Sequence, residues 1–159
     1  MSIQVGDKLP EATLNTMNNG VQAITVNDVF AGKKVVLFAV PGAFTPTCSA
    51  KHLPGFIEHL AAIKAKGVDS VACMSVNDAF VMQAWAKSQD VPEDVIMLAD
   101  GNGAFTQKLG LELDATAFGM GMRSKRFALV AEDGVVKQLF VEAPGEFKVS
   151  SAEHVLGNL

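Results

Sequence analysis

Two cysteines in 159 residues, Cys48 and Cys73, are too few for a disulfide framework. Thiol chemistry in a reducing, cytoplasmic setting is therefore the expectation, and structural bridging is not. No Cys-x-x-Cys occurs, since "CSAK" runs on from Cys48, which disfavours a disulfide-exchange enzyme. Arginine is equally scarce: Arg123 and Arg126, both in "RSKRFALV", are the whole supply. A net charge of -4 with acids and bases interspersed leaves no basic patch, so neither nucleic acid nor an anionic membrane surface is an expected partner. No apolar run approaches the ~20 residues of a membrane span, and Asp7 and Lys8 interrupt the N-terminus before an apolar stretch can form. Neither anchor nor signal peptide is expected. Repeats, low-complexity tracts and linker-like runs are missing too, so residues 1–159 read as a single domain. At 49% apolar composition the chain can build an ordinary soluble core, and small neutral substrates remain open as ligands.

What is present alternates. "KVVLFAV" is a continuous β-branched apolar run, the pattern of a strand buried on both faces. A helix is expected from about residue 48, with Leu53, Phe56, Ile57, Leu60 and Ile63 at three-to-four spacing. "VDSVACMSV" is a second buried strand, "DAFVMQAWAKSQ" a helix closed by Pro92, "VIMLA" a third strand, and "GAFTQKLG" a short helix ending at Gly110. "RFALVAEDGVVKQLFVE" reads as a hairpin turning at Asp133-Gly134, and a peripheral N-terminal hairpin is expected at Asn19-Gly20. Ser150 followed by Glu153 suggests a capping box for a last short helix. Parallel βαβ units followed by an antiparallel hairpin predict an α/β protein with a mixed central sheet flanked by helices, a thioredoxin-like fold with an N-terminal hairpin extension.

The candidate reactive group is Cys48, in "VPGAFTPTCS" at the start of the first helix. Orphaned N–H groups and the positive end of the helix dipole favour a thiolate there. A free cysteine is only a few per cent thiolate near neutrality, and inverting that balance takes about 3.4 kcal/mol. A helix terminus supplies ~0.3–1 kcal/mol, or ~2 when partly buried. A nearby cation is therefore required. His52 lies one turn further along, with nothing in the sequence to orient it, and His52, His59 and His154 read as surface or rim positions. Arg123 and Arg126 are the remaining cations, and a solvated strand end is the bland alternative for both. Thr45 can bring a hydroxyl beside the sulfur, Thr47 reads as a helix-flanking residue, and Pro41 and Pro46 would stiffen the loop and limit water. Cys73, inside a buried strand, reads as a small inert apolar residue.

"PGAFTPTCS" closely resembles the Pro-x-x-x-Thr-x-x-Cys loop of peroxiredoxins of the type-five subfamily, called type-two in plants. "HLPGF", "VACMSVNDAFVMQAW", "MLADGNGAF" and "KRFALVAEDGVV" resemble the same subfamily in the same order. The resemblance implies that Cys48 is the peroxidatic nucleophile, Thr45 the hydroxyl that positions peroxide, Pro41 the shield of the sulfur and Arg126 the guanidinium fixing thiolate and peroxide. Backbone N–H groups of Gly42 and Cys48 would join them at the substrate. It further implies a peroxidase for hydrogen peroxide and small alkyl hydroperoxides, without cofactor or metal, as a homodimer with Phe44 and Phe80 as candidate contacts. Residues 140 to 159 contain no resolving cysteine, unlike some relatives, so an external thiol is expected: glutathione with glutaredoxin, or thioredoxin. A redox sensor that uses Cys48 oxidation to change partners, and a thioredoxin-like scaffold with structural cysteines, are the competing readings.

Overall fold

In the computed structural model, which describes residues 2–159, the run "KVVLFAV" forms the middle of the protein. The strands are β1 (Thr13–Met17), β2 (Val21–Thr25), β3 (Lys34–Val40), β4 (Ser70–Ser75), β5 (Val95–Ala99), β6 (Glu112–Asp114), β7 (Met122–Ser124), β8 (Phe127–Glu132) and β9 (Val135–Val141). The helices are α1 (Val26–Phe30), α2 (Leu53–Glu58), α3 (Leu60–Ala65), α4 (Ala79–Ser88), α5 (Ala104–Leu109) and α6 (Ala152–Gly157). One sheet runs in the order β2-β1-β5-β4-β3-β8-β9. Its centre, β3-β4-β5, is parallel, and β8, β9 and β1 join antiparallel. This is the mixed, helix-flanked, thioredoxin-like sheet that the alternation predicts.

Because strand side chains alternate, β3 serves two cores at once. Val36, Phe38 and Val40 pack with Cys48, Leu53, Phe56, Ile63, Trp85 and Val155 on the face carrying α2, α3, α4 and α6. Val35, Leu37 and Ala39 face the other way, toward Val29, Phe30, Phe105 and Leu109 of α1 and α5. Burying each such side chain is worth about 1.5–3 kcal/mol, which explains why β3 tolerates no polar residue after Lys34.

The N-terminal hairpin is continuous with the sheet: β1 touches β5 at Asn15 and Ala99, so it forms an edge rather than a detached appendage. At the other edge, Asp133 (φ 49°) and Gly134 (φ 78°) make the two-residue turn expected from Asp-Gly. Four elements depart from the sequence reading, the first being the helix expected to run past Ile63, which breaks at His59 into α2 and α3. Helix α1 is opened by a Thr25–Asp28 capping box, a Thr-x-x-Asp signal the periodicity reading passed over because the helix is only one turn long. The short pair β6–β7 carries no alternation long enough to detect. The last helix is capped by Ser151, whose hydroxyl accepts the His154 N–H, and not by Ser150. Ser150 is buried and its hydroxyl donates to Glu142 instead.

Candidate active site

The loop of residues 41–47 leaves the C-terminal end of β3, the end at which open α/β sheets present ligand sites. Asn77, just after β4, ties it down: its Oδ1 accepts the Ala43 N–H at 3.0 Å and the Ser75 hydroxyl at 2.5 Å. Gly42 sits so close to its neighbours that a Cβ there would lie 3.0 Å from Arg123 Nη1 and 3.1 Å from Thr45 Cγ2. Phe44 follows with φ 65°, a left-handed conformation uncommon for a bulky residue, and its ring is exposed. The Thr45 carbonyl then accepts the Ser49 N–H at 3.0 Å, and Pro46, which needs no partner for a nitrogen proton, occupies the start of the first helical turn.

After that opening the helix widens. Cys48–His52 forms a π-turn, in which the Leu53 N–H reaches back five residues to the Cys48 carbonyl. Both Cys48 and His52 project inward from it and are fully buried. Trp85 of α4 braces the turn, its indole N–H donating to Ser49 Oγ at 2.9 Å.

Two donors converge on the sulfur. Arg126 Nη2 lies 3.1 Å from Cys48 Sγ, and Thr45 Oγ1 lies 2.8 Å from it. The Thr45 oxygen is also 2.6 Å from the Gly42 carbonyl. A hydroxyl has one proton to give and two lone pairs. With a thiol, the proton order is therefore S–H to Thr45 oxygen and Thr45 O–H to Gly42 oxygen. With a thiolate, the hydroxyl turns to the sulfur and releases the Gly42 carbonyl.

His52 is the residue whose place at the site sequence reasoning missed. Read there as a rim position, it is wholly buried, with Phe38, Phe56 and Phe147 within 5.0, 5.7 and 5.0 Å of its ring centre. Its Nε2 lies 3.0 Å from the Ser150 carbonyl, which can only accept, so Nε2 carries the proton and Nδ1 is left to accept from Arg126 Nη1 at 2.9 Å. Burial, then the adjacent Arg126 charge, depress its pKa to about 3, against a smaller opposing pull from the Ser150 carbonyl. The signal was the four-residue spacing from Cys48, which puts both on one face of a helical turn. The orienting partner, Ser150, lies 98 positions away and was out of reach.

Behind Ser150, a single oxygen of Glu142 accepts the N–H groups of Lys148 (2.8 Å), Val149 (2.9 Å) and Ser150 (2.8 Å) and the Ser150 hydroxyl (2.7 Å). Burial alone would raise this carboxyl, but the four hydrogen bonds outweigh it and hold the group below the ordinary glutamate value.

Arg123 does not reach the sulfur. Its Nε donates to the Met120 carbonyl at 3.0 Å and its Nη1 to the Pro41 carbonyl at 3.4 Å, so it buttresses the loop and is not a solvated strand end. His59 and His154 lie half-buried away from the sulfur. Cys73 is buried in β4, and burial, with a lesser contribution from Cys48, pushes its thiol well up. Both cysteines are free. A cleft of about 630 Å³ opens beside Arg126, lined by Pro41, Lys51, Phe118, Lys125 and Phe147 among others, but Cys48 does not line it. Pro41, the first residue of the loop, lines that cleft, and Cys48 opens the π-turn. Among the described residues no helix is long and apolar enough to cross a membrane.

Comparison with known proteins follows the same line. The Redoxin family matches residues 4–156. Peroxiredoxin-2E, chloroplastic, of Arabidopsis thaliana is 54% identical over 160 residues, covering 98% of this chain and 68% of that protein. Peroxiredoxin-2B of the same organism is 52% identical over 156 residues, covering 97% and 96%. The crystal structure of reduced Prx3 from Vibrio vulnificus in complex with hydrogen peroxide superposes with a TM-score of 0.94 at 54% identity, covering 98% of both chains.

Proposed function

Since this chain belongs to the peroxiredoxin family and is a thiol peroxidase, we propose that Cys48 is its peroxidatic nucleophile, reducing hydrogen peroxide and small alkyl hydroperoxides, with recycling by an external thiol. The observation that carries this reading is the convergence of Arg126 Nη2 and Thr45 Oγ1 on one buried sulfur. The thiolate attacks one peroxide oxygen along the O–O axis, the S–O bond forms as the O–O bond breaks, and the departing oxygen takes the electron pair and then a proton, leaving as water or an alcohol. Cys48 is left as sulfenic acid. Charge that begins on sulfur spreads onto the departing oxygen. Arg126, the Thr45 hydroxyl and the Gly42 and Cys48 N–H groups are donors placed to follow it, in a site that Pro41 keeps dry. The Gly42 carbonyl, freed when Thr45 turns to the thiolate, is an acceptor for the proton of the incoming hydroperoxide.

Return of the thiol takes two further thiols: one condenses with the sulfenic acid, releasing water, and a second exchanges the mixed disulfide. Residues 140–159 hold no cysteine, and Cys73 is buried with its thiol held protonated. Glutathione with glutaredoxin is the favoured reductant and thioredoxin the second. Because Cys48 is 0% exposed, an incoming reductant can reach the sulfur only after the turn opens. The two free thiols fit a reducing compartment such as the cytoplasm. A homodimer is supported by the exposed side chains of Phe44, Phe80, Phe118 and Met122; sedimentation of the reduced protein checks it.

The deciding experiment is steady-state peroxide consumption with glutathione plus glutaredoxin and, separately, with the thioredoxin system, together with mass-spectrometric trapping of the sulfenic acid. Turnover with the first system and trapping at Cys48 are expected, and Cys73→Ser should retain most of the rate. One stoichiometric oxidation without turnover under either system would favour the sensor reading, and loss of recycling in Cys73→Ser would make Cys73 a resolving cysteine.

A further inference from the structure

The peroxidase reading, on which this inference rests, leaves unexplained why Arg126 points at Cys48 at all. We infer that His52, held by the Ser150 carbonyl and by the Glu142-anchored segment behind it, is the positioning residue that aims the Arg126 guanidinium at the sulfur. A guanidinium has five N–H donors and no acceptor, so its plane is fixed only by acceptors placed around it. Cys48 Sγ is one, at 3.1 Å from Nη2, and His52 Nδ1 is the other, at 2.9 Å from Nη1. The Phe147 ring, 5.8 Å from Cζ, supplies a face but no direction.

Nδ1 accepts only while the imidazole proton sits on Nε2, and the Ser150 carbonyl fixes it there. Ser150 is itself immobilised by Glu142 through both its N–H and its hydroxyl. The Glu142 N–H donates to the Arg126 carbonyl at 3.0 Å. One residue therefore holds both ends of the chain: the Arg126 backbone directly, and the guanidinium through Ser150 and His52. The closed loop Arg126–Glu142–Ser150–His52–Arg126 sets the angle at which the cation meets the sulfur, although Glu142, Ser150 and His52 make no hydrogen bond to it.

The alternative is that His52 merely fills an aromatic cluster, and substitution separates the two. His52→Phe preserves a ring among Phe38, Phe56 and Phe147 but removes both nitrogens. His52→Asn leaves an amide oxygen near the Nδ1 position while shrinking the side chain. In single-turnover oxidation of Cys48 by hydrogen peroxide, His52→Phe is expected to be slower by about ten- to a hundredfold, as is typical when a partner behind a functional group is lost. His52→Asn should recover to within about threefold of the parent by the same measure. The reverse order, with His52→Phe near the parent rate and His52→Asn impaired, would overturn the proposal. Glu142→Gln alone should slow the step by about threefold, and combined with His52→Phe it should add nothing, because both act along one chain. Multiplying effects would detach Glu142 from it. The same order is expected for alkylation of Cys48 by iodoacetamide at neutral pH, a reaction that needs no peroxide. A protein inert to peroxide would thus sink the peroxidase reading, while the alkylation series still decides the role of His52.

Discussion

Replacing Arg126 with methionine should lower the second-order rate constant for Cys48 oxidation by about a hundred- to a thousandfold, the cost of removing one donor aimed at developing charge. Methionine keeps an unbranched apolar stem to lie against Phe147, so the loss falls on the charge and its hydrogen bonds. Arg126 is the cation in contact with the sulfur, at 3.1 Å, and without it the thiolate depends on the helix terminus and the Thr45 hydroxyl. Arg123→Met is the control. Its guanidinium holds the Met120 and Pro41 carbonyls and never reaches Cys48, so its loss loosens the loop without removing charge from the sulfur. Stopped-flow mixing with hydrogen peroxide measures both, and an Arg123 variant as slow as the Arg126 variant would overturn the assignment.

Acidification from pH 7 to pH 5 should cost about 2 kcal/mol of folding stability through His52 alone. In the fold its pKa is depressed from the ordinary 6.5 to about 3, so the unfolded chain binds a proton that the folded one refuses throughout that window. Where the unfolded state holds more protons, stability rises with pH. The contribution is complete above about 6.5, drains away as pH falls, and stops changing below about 3. Glu142 also weakens the fold in acid, but its carboxyl is depressed from 4.5, so its share is lost only below that value. Urea unfolding at pH 7, 6 and 5 therefore isolates the histidine. His52→Asn, which cannot take up a proton, should be less stable than the parent at pH 7 yet lose clearly less between pH 7 and 5. Parallel curves for the two proteins would show that His52 ionises freely in the folded state.

What could be read from the sequence follows the range of each signal. β3 declared itself because six consecutive residues, Val35 to Val40, must satisfy two cores, and β8–β9 because Asp133-Gly134 needs two positive φ angles. The sulfur, its hydroxyl and the shielding proline lie within one loop and were legible together. Arg126 was found because the energy of ionising a thiol demanded a cation and only two arginines existed. Resemblance chose between them, and the 3.1 Å contact agrees with that choice. His52 was discounted because a histidine is informative only with its orienting partner, and that partner is a backbone carbonyl, which has no sequence signature. Ser150 was misread for a related reason: a Ser-x-x-Glu spacing is blind to a carboxylate that arrives from β9 and claims the hydroxyl first.

The brace between Trp85 and Ser49 has a practical side. This is the single tryptophan of the chain, and its indole is hydrogen-bonded to the residue next to Cys48. Opening of the π-turn must stretch or break that bond, and indole emission responds to such a change in its surroundings. The protein therefore carries its own optical reporter, one fluorophore read against a background free of other tryptophans. On the proposed cycle, oxidation of Cys48, mixed-disulfide formation and return to the thiol are each expected to change this emission in unlabelled material.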